Sequence, residues 1–160
     1  MRKIFTVLIA SFVLAALVPT TATSATCRSY SKSERAFAKK VNAARDGRGI
    51  RRLKLDPELS KVAMKQTRSM TNQNRLFHTP NLGARVTNWT RLGENVGYGG
   101  TVRQLHKMFM RSSGHKANIL NRDFKFVGVG TMKAHGSLWV TVVFQATRNP
   151  GTTLTMKKQC

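Results

Sequence analysis

The run Leu138-Trp139-Val140-Thr141-Val142-Val143-Phe144 is apolar or β-branched at every position. A strand of this kind has no polar face to give to water, so both of its sides need cover. A second β-rich run, Phe126-Val127-Gly128-Val129-Gly130-Thr131-Met132, precedes it, and Ala134-His135-Gly136-Ser137 between them reads as a hairpin loop. The cover must come from upstream, where the apolar period is helical. Helices first and a hairpin last predict an α+β layered domain with helices on both sides of its sheet.

Three helix starts are legible. Ser31-Lys32-Ser33-Glu34 is a capping-box pattern followed by Phe37, Val41 and Ala44 at helical spacing, with Gly47 and Gly49 as the stop. Asp56-Pro57-Glu58 places a cap and a first-turn proline before Leu59, Val62, Ala63, Gln66 and Met70, which share one face to about Asn72. Thr101-Val102-Arg103-Gln104 is a third capping-box pattern, with Val102, Leu105 and Phe109 as its inward stripe. The methionines Met64, Met70, Met108 and Met110 read as core filling rather than a cofactor box.

The N-terminus reads as a leader. Arg2 and Lys3 precede the apolar run Ile4 to Val18, then small polar residues lead to Ala25. That order is the pattern of a secretory signal peptide over residues 1–25, and the run is shorter than the ~20 residues a spanning helix needs. Residues 26–160 are then one domain's worth of chain, expected outside the cell or in the envelope or periplasm. Cys27 and Cys160 lie at its two ends. Paired, they would close nearly the whole domain and contribute about 5 kcal/mol at most; free thiols and pairing between chains remain open alternatives. A monomer is the expectation.

Lys and Arg number 28 against six Asp and Glu, for a formal net charge of +22. The basic residues run from Arg28 to Lys158 rather than forming one tail, which argues against a disordered nucleic-acid arm. Such a surface attracts polyanions in a salt-dependent way, or serves solubility alone. For a secreted chain the polyanions within reach are lipid head groups, anionic envelope polymers and extracellular DNA.

Acids and histidines are scarce, so their placement matters. Glu94 lies in Gly93-Glu94-Asn95-Val96-Gly97-Tyr98-Gly99-Gly100, His115 in Ser112-Ser113-Gly114-His115, and His78 in Phe77-His78-Thr79-Pro80. Two imidazoles and a carboxylate can supply three ligands of an open zinc site, or a carboxylate can orient a histidine acting as general base. Their wide spacing is unlike a metalloprotease helix, so spacing alone is a weak signal. The glycines around Glu94 end in no phosphate-loop lysine and match no dinucleotide fingerprint; they read as tight turns, with Asn95 and Asn118 as loop or helix-end hydrogen-bonders. His106, on the third helix, reads as a packed histidine, and His135 as a solvated loop residue. Asn88-Trp89-Thr90 is a formal glycosylation sequon, meaningful in a host that glycosylates.

Taken together, Val41-Asn42-Ala43-Ala44-Arg45, Leu53 to Leu59, His78-Thr79, Gly93-Glu94-Asn95-Val96, Gly114 to Leu120 and Trp139 to Phe144 resemble the CAP superfamily. That superfamily comprises cysteine-rich secretory proteins, antigen 5 proteins and pathogenesis-related proteins; the likeness here is to its short bacterial secreted members, from about Glu34 to Phe144. The resemblance implies a three-layer α-β-α sandwich with a central cleft, and a single CAP domain over 26–160. It implies that His78, Glu94, Asn95 and His115 line the cleft and that His78 and His115 could hold zinc or another divalent cation. No organic cofactor is expected. Relatives carry a second cleft acid before the second histidine; here no Asp or Glu occurs between Glu94 and Asp123, and His106, Lys107 and Arg111 stand there instead. Paired-carboxylate chemistry is weakened accordingly.

Three functions follow as expectations. The favoured one is a secreted binding module whose cleft or basic surface engages lipid, sterol or an anionic cell-envelope polymer, with peripheral membrane contact. The second is a metal-dependent, peptidase-like hydrolase in which Glu94 and His115 would be the catalytic pair. A basic nuclease or nucleic-acid binder ranks last, since no nucleic-acid motif or aromatic platform is apparent in the sequence.

Overall fold

The computed structural model describes residues 29–147. The leader and both cysteines lie outside them. Four helices and four strands follow one another as α1 (Lys32–Asp46), β1 (Lys54–Leu55), α2 (Pro57–Asn72), β2 (Arg91–Gly99), α3 (Val102–Arg111), α4 (Ser113–Leu120), β3 (Phe126–Ala134) and β4 (Ser137–Ala146), with a short 3-10 turn at Leu82–Ala84.

The strands form one sheet in the order β1-β3-β4-β2. β1 runs parallel to β3, while β3–β4 and β2–β4 are antiparallel. β4 is central, and its two faces are buried as its composition requires. Val140, Val142 and Phe144 pack with Phe37, Leu105, Phe109 and Ile119 from α1, α3 and α4. Val143 and Trp139, on the other face, pack with Leu59, Ala63 and Met70 of α2. The three-layer α-β-α arrangement is therefore present.

α2 lies on the sheet at backbone distance. A Cβ on Gly128 would sit 2.2 Å from the carbonyl carbon of Leu59, and one on Gly130 would sit 2.4 Å from the amide nitrogen of Met64. These two glycines set how closely helix and sheet approach. The turn between β3 and β4 is His135-Gly136, both at positive φ (49° and 69°), the geometry a two-residue hairpin prefers.

The caps are as read at two of three helices. Ser31 and Glu34 form a reciprocal capping box on α1. The buried Asp56 accepts from the Leu59 amide at 2.8 Å at the start of α2. At α3 the Thr101 hydroxyl accepts from the Gln104 amide, but the Gln104 side chain reaches back to Gly100 N–H at 3.0 Å, one residue before the cap. The expected box is therefore half formed there. Met108 also departs from the expectation: it is 48% exposed, whereas Met70 is fully buried.

Candidate functional site

The glycine-rich segment around Glu94 is a strand, not a set of tight turns. β2 pairs with β4 along its whole length, from Arg91 opposite Ala146 to Gly99 opposite Leu138. Glycine serves side-chain packing here: a Cβ on Gly97 would lie 2.8 Å from the Phe109 ring. Because β2 is an edge strand with period two, the neighbours Glu94 and Asn95 point to opposite faces of the sheet.

On the α2 side, Glu94 moors the loop that follows α2. Its Oε1 accepts from the Thr79 amide at 2.8 Å and lies 2.8 Å from His78 Nδ1; its Oε2 accepts from the Thr79 hydroxyl. The carboxylate is 5% exposed, so it is a buried anion held by several donors rather than a free group in a pocket. Bonding to Glu94 places the proton of the neutral His78 ring on Nδ1 and turns Nε2 outward as a potential ligand atom. The loop reaches this position through Asn74, Asn81 and Asn88, each in the left-handed region at φ 44°, 51° and 56°. Asparagine adopts that region at lower cost than most residues.

On the α4 side, Asn95 holds His115. The buried Asn95 donates from Nδ2 to the His115 carbonyl at 3.0 Å, and Asn118 Nδ2 donates to Asn95 Oδ1 at 2.9 Å and to the Glu94 carbonyl at 3.2 Å. The His115 ring lies 4.6 Å from that of Phe109, tilted by 32°. Burial lowers the His115 pKa, with His78 as the smaller second cause. Glu94 and Asn95 thus bring one histidine to the sheet edge from each face.

The four residues expected in the cleft are therefore organised by one dipeptide. Thr79 is the participant that composition did not single out; its only sequence signal was its place beside His78. Among the described residues, no group of three or more His, Cys, Asp or Glu side chains could hold a metal ion. The donors facing a cation are the two imidazoles, with Glu94 behind His78 rather than beside it. Two imidazoles are fewer than the three protein ligands that an open zinc site uses.

The remaining histidines are structural. His106 is half-buried, edge-on to Phe37 at 6.1 Å, and its buried Nε2 has no hydrogen-bond partner. Burial lowers its pKa, with Lys40 adding to the effect. His135 is exposed but not simply solvated: its Nε2–H donates to the Thr71 carbonyl at 2.8 Å and pins the hairpin turn to α2.

The layers and the sheet order place the chain in the class of three-layer α-β-α domains. Residues 38–144 match the family model described as CAP, the cysteine-rich secretory protein family, and the chain belongs to that family. It is 32% identical over 129 residues to the YkwD protein of Bacillus subtilis (strain 168), a match that takes in 75% of this chain and 50% of YkwD. The chain thus spans half the length of that curated relative. Among solved structures it resembles an outer surface protein from Borrelia burgdorferi, with TM-score 0.68 and 16% identity over 76% of this chain and 97% of that one. It also resembles an extracellular protein containing an SCP domain from Bacillus anthracis str. Ames, with TM-score 0.65 and 22% identity over 72% of this chain and 40% of that one. At these identities the structural likeness speaks for the fold.

Proposed function

We propose that this CAP domain is a secreted binding module whose cleft and basic surface hold ligands rather than cut them. The observation that carries this reading is the state of Glu94. Both carboxylate oxygens are engaged, by His78 and by two donors of Thr79, and no second acid stands between it and Asp123. A general acid or base needs a proton-accepting position open to the substrate. Glu94 instead works as the anchor of the cleft loop.

Secretion is supported by the leader pattern and by the surface and extracellular descriptions of two structural relatives. The charge of +22 favours anionic lipid head groups or envelope polymers as ligands, with sterols or fatty chains as cleft occupants. A divalent cation such as zinc would be held by His78 and His115. When bound it would act as a Lewis acid at the sheet edge. The chain's own residues set the two rings: Glu94 fixes the His78 tautomer, and Asn95 and Phe109 hold His115 in place.

One feature favours the hydrolytic alternative: burial lowers the His115 pKa, which favours the unprotonated ring that a general base requires. The two readings separate in one set of measurements. Zinc is titrated calorimetrically into chelator-stripped protein and into the His78→Ala/His115→Ala variant. Both are also assayed for sedimentation with phosphatidylglycerol vesicles and for turnover of peptide and ester substrates. Vesicle or ligand binding without turnover supports the module. Turnover that disappears in the double variant overturns it in favour of the hydrolase.

A further inference from the structure

A groove of about 620 Å³ lies between α2 and the loop that follows it, with Thr79 but none of His78, Glu94 and His115 in its lining. α2 contributes Lys61 and Lys65 to its wall, and the loop contributes Arg75 and Arg85. Lys61 is paired with Glu58 at 2.8 Å, but both partners are about half exposed, and surface pairs of this kind open readily. Arg85 donates from Nε to the Pro80 carbonyl at 3.1 Å, which leaves the rest of its fork for another acceptor. The Arg75 guanidinium lies 5.0 Å from the centroid of the Phe77 ring, which holds that charge at the groove wall.

Arg75 also belongs to a neighbouring cavity. This second cavity, of about 360 Å³, is shared with Tyr98 and Trp139. Ser137, also in that second cavity, lines a third of about 380 Å³ together with Lys133. Among the described residues, no carboxylate lines any of the three. Tyr98 is 49% exposed although its ring stacks on the buried Trp139 at 4.6 Å and 24°. One face of the tyrosine is fixed and the rest is open to solvent, which makes it a rigid, flat platform.

Cations at intervals beside one backed aromatic ring call for a ligand that alternates anionic groups with flat, C–H-rich rings. Sugar rings supply such faces, and phosphate, sulfate or carboxylate substituents supply the charge. We infer that these linked cavities form a binding track for an anionic glycan, with Tyr98 as the ring platform and Lys65, Arg75 and Arg85 as the anion contacts. The inference rests on the binding-module reading above, but it assigns the ligand a place separate from His78, Glu94 and His115. A single nucleic-acid strand fits less well, because stacking of successive bases needs repeated aromatic platforms. Along this track Trp139 is buried and Phe77 lies under Arg75.

The test uses the full chain and five probes: a sulfated dextran octasaccharide, neutral dextran of equal length, inorganic polyphosphate, oligothymidylate, and phosphatidylglycerol vesicles. Affinity is read by calorimetry and by tryptophan fluorescence in a Trp89→Phe background, which leaves Trp139 as the reporter, at an ionic strength of about 0.15 M, where diffuse surface attraction is largely screened. The sulfated oligosaccharide binds most tightly and neutral dextran most weakly. Lys65→Gln/Arg85→Gln weakens it about tenfold, and Lys39→Gln/Lys107→Gln, which removes equal charge from α1 and α3, changes it less than about twofold. Tyr98→Ala weakens it about fivefold, while Tyr98→Phe, which keeps the ring, stays within about twofold and controls for folding.

Equal losses in the two lysine-containing double variants would overturn the track in favour of diffuse attraction. Polyphosphate or oligothymidylate binding as tightly as the oligosaccharide, or Tyr98→Ala without effect, would overturn the glycan assignment. Vesicle binding with no oligosaccharide binding would sink this inference and leave the binding-module reading standing. Substrate turnover with neither ligand bound would sink both.

Discussion

The Arg45 guanidinium donates from Nη1 to the main-chain carbonyl of Ile119 at 2.8 Å, joining α1 to the end of α4 across 74 residues. The same side chain reaches the carbonyls of Asn121, Arg51 and Phe124, and it is fully buried. Burial and the nearby charges of Arg122 and Arg51 lower its pKa. Its partners are carbonyl oxygens left over where helix and loop end. Replacement by Met strands several of them in a dry site and is expected to cost about 3–5 kcal/mol of stability. Urea unfolding of Arg45→Met, compared with Arg45→Lys, gives the value; a loss under about 1 kcal/mol, near what a surface site costs, would refute the role.

Glu94→Ala should act locally. It leaves the buried Thr79 amide without an acceptor and is expected to cost about 2 kcal/mol. Native-state hydrogen exchange distinguishes anchoring from general destabilisation. The Thr79 amide should lose its protection far more than the amides of β4 do. Uniform loss across the sheet would show that Glu94 supports the fold as a whole and not the loop.

Stability should fall in mild acid because of two histidines. Burial lowers the pKa of His106 and of His115 from the ordinary 6.5, so the unfolded chain binds protons more readily than the folded one. Their contribution is complete above 6.5 and is lost as pH falls below that value through their lowered folded-state pKa values. Asp56 has the opposite sign: burial raises its pKa from 3.8, so its charged form costs stability as pH rises through the raised value. Between pH of about 7.5 and 5 the histidines should dominate, and His106→Phe should flatten the slope of urea midpoint against pH. An unchanged slope in that variant would assign the acid sensitivity elsewhere.

Gly130→Ala would push a methyl group toward the α2 backbone at Met64, where no side-chain rotation can relieve it. A loss of about 1–3 kcal/mol or more is expected, by the ordinary cost of overpacking. Gly114→Ala meets nothing within 4 Å and serves as the comparison. Equal melting temperatures for the two variants would mean that α2 moves away from the sheet freely.

The layered architecture was legible because β4 has no polar face and three helices announce their starts with caps. Scarcity and the family resemblance singled out His78, Glu94, Asn95 and His115, and the structure joins His78 to Glu94 and Asn95 to the His115 backbone. β2 was not, since Gly93, Gly97 and Gly99 carry the composition of a turn while serving close packing against α3 and α4. Only its pairing with β4, a contact distant in sequence, makes that segment a strand. The opposed roles of Glu94 and Asn95 depend on that same pairing. Thr79 was noted only as the neighbour of His78; its bonds to Glu94 were hidden because a single threonine has no pattern of its own. The basic groove was equally hidden: Lys61 and Lys65 belong to α2, and folding alone sets them opposite Arg75 and Arg85.

Thr79 gives its amide and hydroxyl to Glu94 on one side and lines the α2 groove on the other. Thr79 therefore belongs at once to the anchor of the His78 loop and to the wall of the basic groove. A groove occupant that shifts Thr79 must alter how Glu94 holds His78, and by linkage a ligand on His78 that shifts Thr79 alters the groove by the same free energy. Two ligands of unrelated chemistry would then report on each other through one hydroxyl group.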